Sequence, residues 1–205
     1  MVIEFDPERS NPHKLKEVVE CLRNGGVIIY PTDTVYAMGC DLHNNKAIEK
    51  ICRIKGVKSN KTQFSFICHD LSHISQYAKQ LDNTVFKLMK RALPGPYTFI
   101  VDANNNVPKL IQEKKKTVGI RVPNHTVPQL LVQELGRPII TTSLKSEDEI
   151  AVYMTDPLDI ANKYLNQVDY IINSGPGNND GSTVINCSNG QLEIIREGMG
   201  SLDIL

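Results

Sequence analysis

The sequence has no excess of either charge. Twenty-three lysines and arginines balance twenty-three aspartates and glutamates over 205 residues, so no global field draws in nucleic acid or an anionic membrane, although local basic patches remain open. No apolar run approaches the roughly twenty residues needed to span a bilayer. The first residues, Met1-Val2-Ile3-Glu4-Phe5-Asp6-Pro7, lack a charged leader ahead of an apolar block, so no secretory signal is expected. The five cysteines are odd in number, scattered, and mostly set among apolar neighbours such as Phe66-Ile67-Cys68. That pattern offers neither a disulfide frame nor a C-x-x-C knuckle, and predicts reduced core thiols in a cytoplasmic protein. The five histidines stand apart, so no protein-held metal is expected. There is also no G-x-x-x-x-G-K-[ST] loop, G-x-G-x-x-G turn, H-E-x-x-H helix or G-x-S-x-G elbow.

With 40% hydrophobic and 22% charged residues, the composition is that of a soluble globular protein, and the length favours one domain spanning the whole chain, 1–205. The chain is organised around residues 25–39. Gly25-Gly26 ends a helix, Val27 to Tyr30 reads as a buried strand, and Pro31 removes a ladder donor so that Thr32, Asp33 and Thr34 project from a strand end. The plainer reading is a polar turn whose Thr and Asp side chains cap their own backbone.

Helical spacing of apolar residues predicts helices over Lys14–Leu22, Asn45–Ile54, Leu71–Tyr77, Thr84–Arg91, Val127–Leu135 and Pro157–Leu165, with Asn44 or Asn45 capping the second. A short amphipathic piece is expected over Val107–Ile111. Strands are predicted over Gln63–Cys68, Tyr97–Val101, Thr117–Pro123, Pro138–Thr142, Asp169–Ile172, Ser182–Ile185 and Leu192–Arg196, the last two paired. Gly175–Gly181 reads as a mobile connection, and Glu147–Glu149 as a solvated acidic loop. Helices and strands interleave without a strict βαβ repeat, which predicts an α/β domain with a large twisted mixed sheet flanked by helices.

Hydroxyls and cations collect at the strand ends: Thr32 and Thr34, Lys55 to Lys61, Thr117 and Arg121, Ser143, Ser182 and Thr183, and Arg196. A concave site lined this way suits a phosphate-bearing anion, since cations supply charge and hydroxyls supply direction. The competing reading is ordinary chemistry: threonine is a good strand former, and lysine runs are usually solvated.

Five motifs in fixed order then narrow the choice: Tyr30-Pro31-Thr32-Asp33-Thr34-Val35-Tyr36, Leu93-Pro94-Gly95-Pro96-Tyr97-Thr98, Val118-Gly119-Ile120-Arg121-Val122-Pro123, Ile140-Thr141-Thr142-Ser143, and Gly181-Ser182-Thr183-Val184-Ile185. Together they resemble the YrdC superfamily over nearly the whole chain. Ile51-Cys52-Arg53-Ile54-Lys55 and the ending Ile195-Arg196-Glu197-Gly198 are most similar to its YciO branch. The resemblance implies a large twisted sheet with a positively charged concave face. It also implies synthesis of L-threonylcarbamoyl-adenylate from ATP, L-threonine and bicarbonate with release of pyrophosphate, the first step of threonylcarbamoyl modification of tRNA adenosine. By resemblance, Thr32, Thr34, Arg121, Thr141 and Ser182 bind the amino acid, with Arg121 on its carboxylate. Lys55, Lys58, Thr117, Ser143 and Arg196 bind ATP, which brings magnesium as part of the substrate. Arg53, Lys61 and Lys145 are candidate contacts to phosphate or RNA.

Two departures from the synthase pattern stand out. The K-x-R and S-x-N motifs of the synthases are replaced here by Lys55-Gly56-Val57 and Ser143-Leu144-Lys145. Losing a charge-assisted contact to a transferring phosphate costs on the order of a hundredfold in rate. Three functions therefore stay open at the level of sequence: the synthase, a related nucleotidyl or carbamoyl transferase with another substrate, and a non-enzymatic protein that holds tRNA or double-stranded RNA on a basic face. The sequence sets no oligomeric state.

Overall fold

The computed structural model describes residues 1–6, 13–57, 64–108, 116–144 and 153–204. Its frame is one ten-stranded mixed sheet. In chain order the strands are β1 (Val2–Glu4), β2 (Val27–Tyr30), β3 (Ala37–Asp41), β4 (Ser65–Ile67), β5 (Tyr97–Asp102), β6 (Thr117–Arg121), β7 (Ile139–Ser143), β8 (Tyr170–Asn173), β9 (Thr183–Asn186) and β10 (Glu193–Arg196). In space they run β1-β8-β2-β3-β7-β4-β6-β5-β9-β10. Among the described residues six α-helices flank the sheet: α1 (Lys14–Arg23), α2 (Asn45–Ile54), α3 (Leu71–Ser75), α4 (Asn83–Ala92), α5 (Thr126–Leu135) and α6 (Pro157–Tyr164).

The helix ends follow local chemistry. The Asn44 side chain accepts from the Ala47 amide to cap α2, Asp70, Asp82 and Asp156 cap α3, α4 and α6, and Gly136 closes α5 at φ 75°. Gly25 leaves α1 at φ 87°, the positive angle that the Gly-Gly turn was expected to supply. The sequence-based ranges agree with these elements to within a few residues. Two strands escaped them: β1, and β3, which follows Pro31 and carries a central glycine.

Strand alternation sorts the core into two layers. One side of the sheet, with Val27, Ile29, Met38, Phe66, Phe99, Ile120, Ile140 and Ile185, packs as one cluster with Ile48 and Ile51 of α2, Leu88 and Met89 of α4, and Ile160 of α6. The other side, with Ile28, Tyr30, Ala37, Ile67, Ile139 and Ile172, packs against Leu15, Val18, Val19 and Leu22 of α1 and Val127, Leu131 and Val132 of α5. These two helices cover only part of that second side. Along β7 it passes from Ile139, packed beneath α5, to Thr141 and Ser143. Across β4, β6 and β5 it shows Ser65, Gly119, Arg121, Thr98 and Ile100. On that stretch the chain supplies hydroxyls, a glycine and a cation beside Ile100.

The expected amphipathic piece over Val107–Ile111 runs into residues outside the description after Pro108, as does the acidic loop at 147–149.

Candidate active site

The uncovered half of the second sheet face is a cavity of about 360 Å³ that crosses seven strands, from Ala37 of β3 to Arg196 of β10. Its floor is set by register. Gly39 stands opposite Thr141, Thr141 opposite Ser65, Ser65 opposite Gly119, and Gly119 opposite Ile100. Three of these, Thr141, Ser65 and Gly119, line the floor in a row, and Gly39 lies beyond the lining. A Cβ added at Gly119 would lie 2.9 Å from Ser65 Oγ and 3.3 Å from Thr98 Cγ2, and one at Gly39 would lie 2.7 Å from the Ile140 carbonyl oxygen.

One end of the cavity is built on Arg121. Its side chain is 8% exposed, as is that of Asp33. Arg121 Nη2 donates to Asp33 Oδ1 and to Thr34 Oγ1, both at 2.9 Å. Asp33 Oδ2 accepts the Asn124 amide at 3.0 Å. The Thr32 hydroxyl donates to the Val35 carbonyl at 2.7 Å and accepts the Thr34 amide, which folds the 32–35 turn and aims Thr34 at Arg121. Arg121 Nε, though buried, has no hydrogen-bond partner among the described residues. Burial pushes the Arg121 pKa down, the Asp33 carboxylate pulls it up, and Arg196 adds repulsion. A buried guanidinium with a free donor, facing a cavity that holds a second guanidinium, is a site for an anion.

The opposite end is built on Arg196. Its Nη2 donates to the Ser182 carbonyl at 2.7 Å and Nε to the same oxygen at 3.2 Å, while Nη1 donates to the Tyr153 hydroxyl at 3.4 Å. Between the two arginines, the Thr98 and Ser182 hydroxyls share a 2.7 Å hydrogen bond. Beneath them Tyr30 donates from its hydroxyl to Thr141 Oγ1 at 3.0 Å. Burial raises the Tyr30 pKa, so the phenol stays protonated and fixes the Thr141 rotamer.

Of the residues proposed from sequence, Arg121, Thr141, Ser143, Ser182 and Arg196 line this one cavity. Thr32 and Thr34 sit behind Arg121 and hold it. Lys55, at the end of α2, donates from Nζ to the Ser143 carbonyl at 2.7 Å, so it reaches the rim through β7. Thr117 is buried on β6 one strand repeat before Gly119 and does not line the cavity. Arg53 is exposed on α2, away from the lining. Lys58, Lys61 and Lys145 lie outside the described residues. Sequence reading passed over Asp33 as a partner, although it lies inside the P-T-D-T stretch, and over Thr98, whose signal was its alternation with Ile100. Tyr153 gave no signal.

The 175–181 connection is tied to this end of the site. The Asn178 amide donates to the Thr34 carbonyl at 3.0 Å, Asn178 Nδ2 to the Asp33 carbonyl at 3.2 Å, and the Tyr36 hydroxyl to the Gly175 carbonyl at 2.7 Å. The glycine-rich composition that suggested mobility accompanies an anchored loop.

Comparison with known proteins follows the same lines. The family profile described as "Telomere recombination" (Sua5, YciO, YrdC) matches residues 20–198. The chain is 39% identical over 197 residues to the uncharacterised protein YciO of Escherichia coli strain K12, covering 96% of this chain and 94% of that one. The crystal structure of E. coli YciO superposes with a TM-score of 0.91, covering 100% of this chain and 98% of the other. A threonylcarbamoyl-AMP synthase of Coxiella burnetii is 32% identical over 162 residues, 79% of this chain and 85% of that one. The crystal structure of P. abyssi Sua5 complexed with L-threonine superposes with a TM-score of 0.87 at 25% identity; the match covers 97% of this chain and 57% of that one.

Proposed function

The chain belongs to the Sua5/YciO/YrdC family, and from that premise we propose that it is an ATP-dependent synthase of the threonylcarbamoyl-adenylate type. The observation that carries this reading is the pair of guanidiniums, Arg121 and Arg196, at the two ends of a cavity floored by small hydroxyl residues and glycines. Two separated cations suit two separated anionic groups, here an amino acid carboxylate and a polyphosphate. Relatives named threonylcarbamoyl-AMP synthase, and a relative crystallised with L-threonine, support the same substrates.

In this reading the Arg121 guanidinium takes the threonine carboxylate, while Asp33 and Thr34 keep it in place. Thr141 and Ser182 offer hydroxyls to the amino acid. The amine nitrogen attacks bicarbonate carbon, water leaves, and the product is a carbamate. A carbamate oxygen then attacks the α-phosphorus of ATP, the bond to the β-phosphate oxygen breaks, and pyrophosphate departs. No covalent enzyme intermediate is needed. Arg196, Ser143 and Lys55, with Lys58 three residues further along the chain, would meet the nucleotide, and magnesium enters on its phosphates as part of the substrate. The protein contributes alignment and charge neutralisation.

A related transferase with another amine or acid is the second reading, favoured by one observation. Val57, which replaces the arginine of the synthase motif, is 39% exposed just past α2, so an apolar side chain stands where the synthases have a charge. The nucleic-acid reading rests on Arg53, Lys55, Lys58, Lys61 and the run Lys114 to Lys116, with Lys145, and requires salt-dependent binding of tRNA or duplex RNA.

The test is calorimetric titration of magnesium ATP, alone and with saturating L-threonine and bicarbonate, followed by assay for pyrophosphate and the acyl-adenylate. Threonine-dependent pyrophosphate and acyl-adenylate formation is expected. ATP binding without threonine-dependent turnover would favour the second reading, and salt-sensitive tRNA binding without ATP binding the nucleic-acid one.

A further inference from the structure

We infer that Asn178 is a positioning residue for the anion site at Arg121, acting through the turn at Asp33 and Thr34 that holds the guanidinium. This role deepens the synthase reading, and rests on it only where substrate kinetics are used. Arg121 is fixed by two acceptors, Asp33 Oδ1 and Thr34 Oγ1, both on Nη2. Neither acceptor belongs to a strand, since β2 ends at Tyr30 and β3 begins at Ala37. Their place therefore depends on what holds the turn. From one side the Thr32 hydroxyl does so, accepting the Thr34 amide and donating to the Val35 carbonyl. From the other side Asn178 does. Among the described residues, the Asp33 carbonyl accepts only from Asn178 Nδ2, at 3.2 Å, and the Thr34 carbonyl only from the Asn178 amide, at 3.0 Å. Thr34 is fully buried, and a buried carbonyl without a donor is costly, so the turn sits where Asn178 reaches both oxygens.

The connection that carries Asn178 is held without its side chain. The Gly177 amide donates to the Thr155 carbonyl at 2.8 Å, the Met199 amide to the Gly181 carbonyl at 2.9 Å, and the Tyr36 hydroxyl to the Gly175 carbonyl at 2.7 Å. Gly177 also lies close against Tyr36, where an added Cβ would stand 2.9 Å from the ring carbon Cδ2. The connection is thus a fixed post, and the Asn178 side chain is an arm from it to the turn. An amide suits that arm because the Asp33 carbonyl needs a donor; a carboxylate there would set acceptor against acceptor. Among the described residues Asn178 bonds only to the Asp33 and Thr34 carbonyls. Its effect therefore belongs to the Arg121 end, not to Arg196, which the Ser182 carbonyl holds.

The test compares Asn178→Asp with Asn179→Asp in the full chain. Asn179 is the next residue, is exposed on the same connection, and undergoes the same change of charge. Asn178→Asp should raise the KM for L-threonine roughly fivefold or more, as the loss of one hydrogen bond, with kcat and the affinity for magnesium ATP within about twofold of wild type. The melting temperature should hold, and Asn179→Asp should behave as wild type. An unchanged threonine KM in Asn178→Asp, a joint loss of ATP affinity and melting temperature, or an equal effect of Asn179→Asp would overturn the inference. A second readout needs no turnover, and so separates failure of this role from failure of the synthase reading. In a chain carrying isotopically labelled arginine, the Nε–H resonance of Arg121, identified by its disappearance in Arg121→Lys, should shift in Asn178→Asp and keep its place in Asn179→Asp. A wild-type chain without threonine-dependent pyrophosphate release would remove the synthase reading and leave this resonance to decide; an unmoved resonance would overturn the positioning role.

Discussion

At the residue scale the site turns on how Arg121 is kept charged while buried. A desolvated guanidinium is stable only with a close counter-charge, and Asp33 supplies it through a side chain as buried as its own. Two outcomes follow. Asp33→Ala leaves an uncompensated cation and should cost about 3 kcal/mol or more of folding stability, read by urea denaturation. Arg121→Lys keeps a charge but loses the planar fork and the Nε donor; the KM for L-threonine should rise about a hundredfold with little change in the melting temperature. A comparable loss of stability in Arg121→Lys would show that the residue serves the fold more than the ligand. Asp33 was legible as part of a conspicuous turn, whereas its pairing with Arg121 was not. The two are 88 positions apart, and local chemistry carries no information about which strand end meets which.

At the scale of elements, the helices were readable because period 3.6 is a strong signal and the caps are single residues with a definite chemistry. β3 was not, because it is buried throughout and so shows no alternation, and Gly39 at its centre is a poor strand former. The same glycine explains the strand's place. β7 runs close enough that an added Cβ would meet a backbone carbonyl, which cannot rotate away as a side chain could. Gly39→Ala should therefore destabilise by about 1–3 kcal/mol, measured by chemical denaturation. Gly119→Ala meets mainly the mobile Ser65 hydroxyl; it should leave stability nearly intact while raising the cavity floor and weakening ATP binding in the same calorimetric experiment. The cavity itself follows from which strands α1 and α5 leave uncovered, a property of topology that no single element encodes. Thr117 and Arg121 group as a strand-end hydroxyl and cation in the sequence, but only Arg121 lines the cavity.

At the scale of the whole molecule, the expectation of reduced thiols agrees with five free cysteines, four buried and Cys21 partly so. Burial raises the pKa of Cys40, Cys68 and Cys187, the last to about 11, and of Cys21, so few thiolates exist near neutral pH. Ellman's reagent should label the native chain slowly and chiefly at Cys21, and all five thiols after denaturation; fast labelling of more than one native thiol would contradict the packing. The sheet order has a further consequence, in time. β8 lies between β1 and β2, with Ile171 paired to Val2 and Ile29. The second residue of the chain thus waits for the hundred-and-seventy-first before its strand has a neighbour, and β2 keeps one open side until then. Synthesis proceeds from the N-terminus, at about 5–20 residues per second, so a nascent chain carries two unsatisfied strand edges for roughly ten to thirty seconds. Long-range closure of this kind is slow, and it makes the growing chain, rather than the finished one, the form most in need of a chaperone.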